Sequence, residues 1–235
     1  MAFQPRLTLQ DQSLRHNHTE IMYTLTKPIN INDLLAVGSD YKTMLLLEKA
    51  YWKYIDNYCP SVNCTFHKFL NGVFQIKGVT DHIIQISRYV GEYDRVKRTI
   101  PTSGCVLLDS SRVLLVKVYR SPVYSFPKGK AEDGETALET AIRETYEETG
   151  IKVDKYNISA TFTAMGTKMF VFFVNTQTVK VHTRGFNEIP SISWTSINDI
   201  VDYPYMYSKL TCAGIKLLIN HKLVKHVPQK ICNEV

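Results

Sequence analysis

Arg143, Glu144, Glu147 and Glu148, in the run Arg-Glu-Thr-Tyr-Glu-Glu, are the residues of this 235-residue chain whose types and spacing could do chemistry. At about 100° per residue on a helix, the three glutamates share one arc, with Arg143 at its edge. Three carboxylates within a turn repel, at a cost of a few tenths of a kcal/mol per like-charged pair. Arg143 offsets one of them through its i,i+4 relation to Glu147. A hard divalent cation would offset the rest, because Mg²⁺ takes oxygen ligands from a few carboxylates together with substrate phosphate. The elements that must position this arc are legible beside it. Leu138, Ala141, Ile142 and Thr145 recur at helical spacing and form a stripe toward a core. A Gly-rich loop, Phe126-Pro127-Lys128-Gly129-Lys130, stands in front, and Gly150 suits the helix C-terminus, where a positive φ is commonly needed.

The wider pattern resembles the Nudix box: Gly129, five residues, Glu135, seven residues, then Arg143-Glu144-Thr145-Tyr146-Glu147-Glu148-Thr149-Gly150-Ile151. Thr145 departs from it, standing where the family usually has an aliphatic residue; the carboxylates are untouched. The resemblance implies a hydrolase that cuts a diphosphate linked to another moiety, with Mg²⁺ or Mn²⁺ as cofactor.

In chain order, residues 1–28 are polar and aperiodic and read as a tail. Residues 29–94 are helical in period, with no convincing strand. Asn32 or Asp33 is positioned to cap a short helix ending near Gly38. A helix over 40–58 carries its stripe at Met44, Leu47, Tyr51, Tyr54, Ile55 and Tyr58, and Pro60 stops it. Further helices are predicted over 65–74 and 80–93. A charged link, Glu92 to Arg98, then leads to strand patterns over 104–109, 112–118, 158–164, 168–175 and 191–194. A short helix near Ile197 and a longer one over 208–225 close the chain. The expected fold is α+β: a small all-α N-terminal lobe (29–94), then an α/β/α sandwich of the Nudix type with a mixed sheet (95–205), then a basic C-terminal helix (206–235).

Ile100-Pro101, the Ser125–Lys130 loop and the helix Ala-Ile-Arg-Glu-Thr-Tyr-Glu-Glu-Thr-Gly together resemble the catalytic subunit of the eukaryotic mRNA-decapping complex, as does the helix Glu48-Lys49-Ala50-Tyr51-Trp52-Lys53-Tyr54-Ile55-Asp56. The likeness runs over about residues 30–205, loosest in the helical part. It implies cleavage of the mRNA 5′ cap into methylated guanosine diphosphate and a 5′-monophosphate RNA. It implies metal ligands at Glu144, Glu147, Glu148 and Glu188 with the Lys128 carbonyl, and leaves Glu188 and Glu147 as alternative general bases. Arg143 is expected to orient Glu147. Trp52 and Asp56 are the implied cap-binding pair. Trp52 lies off the tyrosine-rich stripe of its helix, and a Trp face attracts a cationic methylated guanine. If Trp52 holds the base, the two lobes meet over the cap and the charged link is the hinge.

Net charge is +6, which suits an anionic partner. Lys209, Lys216, Lys222 and Lys225 follow a stretch with almost no acid and suit RNA phosphates. Capped mRNA is the expected partner, with a decapping activator subunit on the N-terminal lobe. Five scattered cysteines fit reduced thiols in a cytosolic or nuclear compartment better than a disulfide framework, and a cytoplasmic location is expected. No apolar run is long enough to span a membrane, and no secretory signal is legible. The rival functions are a Nudix hydrolase of free nucleotides, dinucleoside polyphosphates or inositol pyrophosphates, and a non-catalytic Nudix RNA-binding protein.

Overall fold

The computed structural model describes residues 19–36, 40–58, 64–119, 121–182 and 189–225. The chain divides into two compact units at Thr99/Ile100.

The first unit is helical. Residues 19–26 form α1, so the tail expected over 1–28 is corrected over those residues. Met22 is buried in the core with Ile21 and Leu25 against it, because these apolar positions fall on one helical face. α2 (Ile31–Leu35) is capped by Asn30, whose side chain accepts from Asp33 N, rather than by Asn32 or Asp33. α3 (Tyr41–Tyr58) buries Met44, Leu47, Tyr51, Tyr54 and Ile55 as its period predicts. α4 (Phe66–Ile76) buries Phe69, Leu70, Val73 and Phe74. The predicted fourth helix is a 3-10 turn, Thr80–Gln85, continued by α5 (Ile86–Thr99). The expected charged link from Glu92 to Arg98 is therefore corrected: it is the last turns of α5. The physical reason is Glu48 of α3, which accepts from Tyr93 Oη at 2.7 Å and from Lys97 Nζ at 2.6 and 2.5 Å, holding the basic end of α5 on the core. The segment expected to be the hinge, Asp94–Arg98, is helical.

The second unit is a sheet between helices. Its strands are β1 (Thr102–Asp109), β2 (Arg112–Lys117), β3 (Tyr124–Ser125), β4 (Lys128–Lys130), β5 (Ala160–Ala164), β6 (Thr167–Phe173) and β7 (Ser191–Ser196). The sheet is mixed: β1 and β6 are parallel, and the remaining pairs are antiparallel. Strand β3, just before the Gly-rich loop, and β4, inside it, are too short to leave a periodic signal.

Alternation along β1 sends Cys105 and Leu107 to one face, against Leu138 and Ala141 of α6 (Ala137–Thr149). Val106 and Leu108 point to the other, where α7 (Ile197–Asp202) and α8 (Lys209–Asn220) bury Ile197, Ile200, Leu210, Ile215 and Leu218. Both sheet faces are thus covered, as a near-continuous apolar strand requires. The C-terminal helix is shorter than expected: it ends at Asn220, and Lys222 turns the chain with φ 60°. Among the described residues no helix is long and apolar enough to cross a membrane.

Candidate active site

Helix α6 is set at both ends. At its start Thr136 and Glu139 form a capping box: Glu139 N donates to Thr136 Oγ1 at 3.3 Å, and Thr136 N donates to Glu139 Oε2 at 2.9 Å. At its end Gly150 adopts φ 73°, and a Cβ there would lie 2.4 Å from the His182 ring. With Ala141, Thr145 and Thr149 buried in the core, the acidic arc is turned away from the core, with Glu147 exposed and Glu144 largely covered. Thr145 keeps its place on the buried stripe, its hydroxyl in the core beside the Cys105 thiol.

Arg143 organises the arc more fully than its sequence spacing predicts. Its Nε donates to Glu135 Oε1 at 2.6 Å and its Nη2 to Glu135 Oε2 at 2.9 Å, a bidentate pair. Nη2 also donates to Lys130 O at 2.9 Å. Nη1 is shared between Glu144 Oε1 at 2.8 Å and Glu147 Oε2 at 3.1 Å. The expected Arg143–Glu147 contact is present, but Glu135 is the closest partner. The bidentate bond from Arg143 holds the Glu135 carboxyl down to about 2. Burial pushes the Glu144 carboxyl above its usual range, against the pull of Arg143.

The Gly-rich loop is pressed onto this face. Lys128 N donates to Glu148 Oε2 at 3.0 Å, and β4 pairs Gly129 with Ser103 of β1. A Cβ on Gly129 would lie 1.9 Å from Glu144 Cδ, so only glycine lets the backbone lie on that carboxylate. Three carboxylates, Glu135, Glu144 and Glu147, therefore gather around one guanidinium, and a fourth, Glu148, holds the loop backbone beside them.

These donors are all oxygen, anionic and in excess of their cation, and so fit a hard divalent ion in chemical type. Among the described residues, no three His, Cys, Asp or Glu side chains converge as a metal cluster. Arg143 engages Glu144 and Glu147, and Glu148 is turned to Lys128 N. Glu188, predicted as a ligand or base, lies outside the described residues.

The other expected site residues lie apart from this arc. Trp52 and Asp56 are on α3 in the helical unit. Trp52 is half-buried against the core, its ring 5.1 Å from that of Tyr51, and Asp56 is exposed one turn on. Lys209 and Lys216 are exposed on α8, whereas exposed Lys222 and Lys225 lie beyond its end. The four lysines are therefore not one helical stripe. Glu135 as the main partner of Arg143, and Gly129 as the seat of Glu144, escaped the sequence reading. The Thr136/Glu139 pair three residues apart was a readable signal for the helix start.

Glu135 and Glu144 respond to pH in opposite senses. The folded-state pKa of Glu135 is depressed, so its stabilisation is present above its ordinary value of 4.5 and is lost as pH falls toward about 2. The pKa of Glu144 is raised, so its contribution is favourable in acid and is lost as pH rises through that pKa. Glu135→Gln is expected to flatten the fall in melting temperature between about pH 5 and 3. Glu144→Gln is expected to raise the melting temperature at neutral pH in chelator. Superimposable pH profiles for Glu135→Gln and the parent would contradict the assignment.

The glutamate-rich helix and the Gly-rich loop lie within a segment that known proteins share. The NUDIX domain model matches residues 98–210. An uncharacterized Nudix hydrolase of Bacillus subtilis (strain 168) is 30% identical over 111 residues, which cover 43% of this chain and 69% of that protein. The chain belongs to the Nudix family. It is also similar to an m7GpppN-mRNA hydrolase of Caenorhabditis elegans, 28% identical over 195 residues covering 70% of this chain and 23% of that protein. Similarity to mRNA-decapping enzyme subunit 2 of Arabidopsis thaliana is 31% over 121 residues, covering 48% of this chain and 32% of that protein. The chain thus spans about a third or less of the length of these two relatives.

Proposed function

We propose that this chain is an mRNA-decapping hydrolase, which cleaves the 5′ cap to release methylated guanosine diphosphate and 5′-monophosphate RNA. The observation that carries the reading is the reach of the similarity to the worm m7GpppN-mRNA hydrolase. It covers 70% of the chain, and only 25 residues follow position 210, so the match takes in residues ahead of the Nudix segment. A hydrolase of small nucleotides would need no such helical unit.

Glu144, Glu147 and Glu148, with the Lys128 carbonyl and Glu188, would hold Mg²⁺ or Mn²⁺. When bound, the ion would supply charge neutralisation at the bridging phosphates and an acidified water. Arg143, fixed by Glu135, keeps Glu144 and Glu147 on one side of the loop. Gly129 brings the loop backbone onto the same surface. Either Glu147 or Glu188 accepts the proton from the attacking water. Trp52 and Asp56 recognise the methylated base, by ring-face attraction to its positive charge and by hydrogen bonding to its edge. An activator subunit on the helical unit belongs to the same proposal.

The test is release of labelled methylated guanosine diphosphate from a capped transcript with Mg²⁺ or Mn²⁺, beside the free cap dinucleotide. Cleavage of free nucleotides with no turnover of the transcript would overturn the proposal in favour of a small-molecule Nudix hydrolase.

The lysines after Tyr207 are proposed to carry RNA phosphates beyond the cap. Lys216→Glu with Lys222→Glu is expected to weaken binding of long capped RNA and to reduce its salt slope by roughly one to two contacts' worth. Cleavage of the cap dinucleotide should barely change. An unchanged slope would make these lysines ordinary solvated surface.

A further inference from the structure

The buried face of α6 carries three threonines, Thr140, Thr145 and Thr149, each fully buried. A hydroxyl taken out of water costs free energy unless it finds a partner, and an aliphatic residue would fill such a place without that penalty. Thr149 is explained by the helix end: its Oγ1 donates to Thr145 O at 2.6 Å and accepts from Ile151 N at 3.2 Å. Thr145 sits beside the Cys105 thiol. Thr140 is the one that reaches toward the acidic arc. Its Oγ1 lies 3.0 Å from Glu135 Oε2 and 3.1 Å from Thr136 O. A hydroxyl has a single proton to give, and the charged carboxylate is the stronger acceptor of the two.

Glu135 stands ahead of the helix, and what holds its carboxylate decides where Arg143 points. Oε2 accepts from Arg143 Nη2 at 2.9 Å, from Glu132 N at 2.9 Å and from Thr140. Glu132 belongs to the exposed loop and Arg143 is a long side chain, whereas Thr140 is fixed in the core by its own burial. Its hydroxyl therefore ties the carboxylate to the rigid side of the helix.

The guanidinium beyond it is fully committed. A guanidinium has five N–H groups, and Arg143 makes five bonds: two to Glu135, one to Lys130 O, and one each to Glu144 and Glu147. While its fork stays on Glu135, Glu144 and Glu147 share Nη1 and are each gripped by one N–H. Arginine favours a two-bonded grip on a carboxylate. Released from Glu135, the fork would turn onto Glu144 or Glu147, and a cation would have to displace it.

We infer that Thr140 is a positioning residue for the cation site: its buried hydroxyl locks Glu135, Glu135 keeps the fork of Arg143, and Glu144 and Glu147 are thereby left open to a divalent ion. The inference rests on the metal-holding part of the proposed function and is independent of the substrate.

Thr140→Val keeps shape and burial and removes the donor, and Thr140→Ser restores it. The lock itself is read in chelator, on the Arg143 Nε–H resonance of ¹⁵N-labelled protein. A charge-assisted bond of 2.6 Å moves that proton downfield and slows its exchange with water. The parent and Thr140→Ser should show the shifted, protected proton, and Thr140→Val should lose it. Titration with Mn²⁺, the unbound ion followed by its paramagnetic resonance, reads the consequence. Thr140→Val is expected to raise the Kd for Mn²⁺ by roughly 3- to 10-fold, less than the roughly 10- to 100-fold of a group bonded directly to a ligand, because it acts through two side chains. Thr140→Ser should bind like the parent. Glu135→Gln should also weaken binding, and adding Thr140→Val to it should change little, because residues in one network do not add.

Equal Nε–H signatures in the parent and Thr140→Val would overturn the lock, and an unchanged Kd would overturn the positioning role. So would a loss of Mn²⁺ affinity as large in the Glu135→Gln background as in the parent, which would make Thr140 a packing residue. Should Thr140→Val fail to fold, Thr140→Ala takes its place in both measurements. A parent that binds no Mn²⁺ would sink the metal assignment and the affinity role with it, while the Nε–H comparison would still decide the lock.

Discussion

Glu147→Gln is expected to lower metal-dependent hydrolysis by about two orders of magnitude or more, with little loss of stability. A carboxylate that helps hold a catalytic cation supports several kcal/mol of transition-state charge, and each ~1.4 kcal/mol is tenfold in rate. The folded chain does not depend on that charge. Glu147 is the most exposed member of the arc, its side chain 55% accessible, and its ion pair with Arg143 at 3.1 Å is of the kind worth about 0–1 kcal/mol. Its charge also repels Glu144, whose carboxyl is already pushed up by burial, so the substitution relieves a neighbour. In chelator the melting temperature should hold or rise slightly, while added Mg²⁺ or Mn²⁺ should stabilise the parent more than the variant. Hydrolysis near the parental rate, with matching metal-induced shifts in melting temperature, would sink the assignment of Glu147.

Trp52→Ala is expected to separate the two caps. A fully buried aromatic cut to alanine costs about 3–5 kcal/mol. Trp52 is only half-buried beside Tyr51, so a smaller loss, about 1–2 kcal/mol, is expected from the area that it covers. The larger effect should fall on turnover. Ring-face attraction to a cation is worth up to about 2 kcal/mol when desolvated, close to tenfold or somewhat more in rate. That contribution exists only where methylation puts the positive charge on the base. Cleavage of a methylated cap should therefore drop about tenfold more than that of an unmethylated cap. Asp56→Asn should show the same selectivity more mildly. Melting curves beside cleavage rates on the two caps decide the matter. A stability loss of core size with equal defects on both caps would make Trp52 structural, and the decapping reading would then rest on the Nudix half.

Much of the second unit was legible because its signals are local. Ala141 and Thr145 of the predicted stripe set the buried face of α6, completed by Thr140 and Thr149, while Leu138 and Ile142 are only half-buried; Gly150 marked the helix end. The near-continuous apolar runs of β1, β2 and β6 announced strands that are buried on both faces. The errors share another cause. Asp94 to Arg98 looked like a linker because it is charged, yet Glu48, far away in sequence, captures Tyr93 and Lys97 and keeps α5 helical. The helix predicted to reach Lys225 stops at Asn220, where Lys222 takes a left-handed conformation. Strands β3 and β4 were invisible since two or three residues carry no period. They exist because β2 and β1 offer them partners.

The same division holds at the site. The sequence by itself determined which side chains share the acidic arc, because residues three and four apart on a helix must lie on neighbouring parts of its surface. It also determined that a glycine stands before the helix and another behind it. Only the tertiary structure decided that Gly129 is the seat of the Glu144 carboxylate, since that contact joins a strand of the sheet to a helix fifteen residues on. It decided as well that Arg143 answers first to Glu135, eight residues away and outside its helix, and that the Glu135 carboxyl is held down to about 2 while that of Glu144 is pushed up. Helical periodicity reaches no further than one face of one element. Burial and charge at this site are set where a loop, a strand and a helix meet, and that meeting is a property of the folded chain.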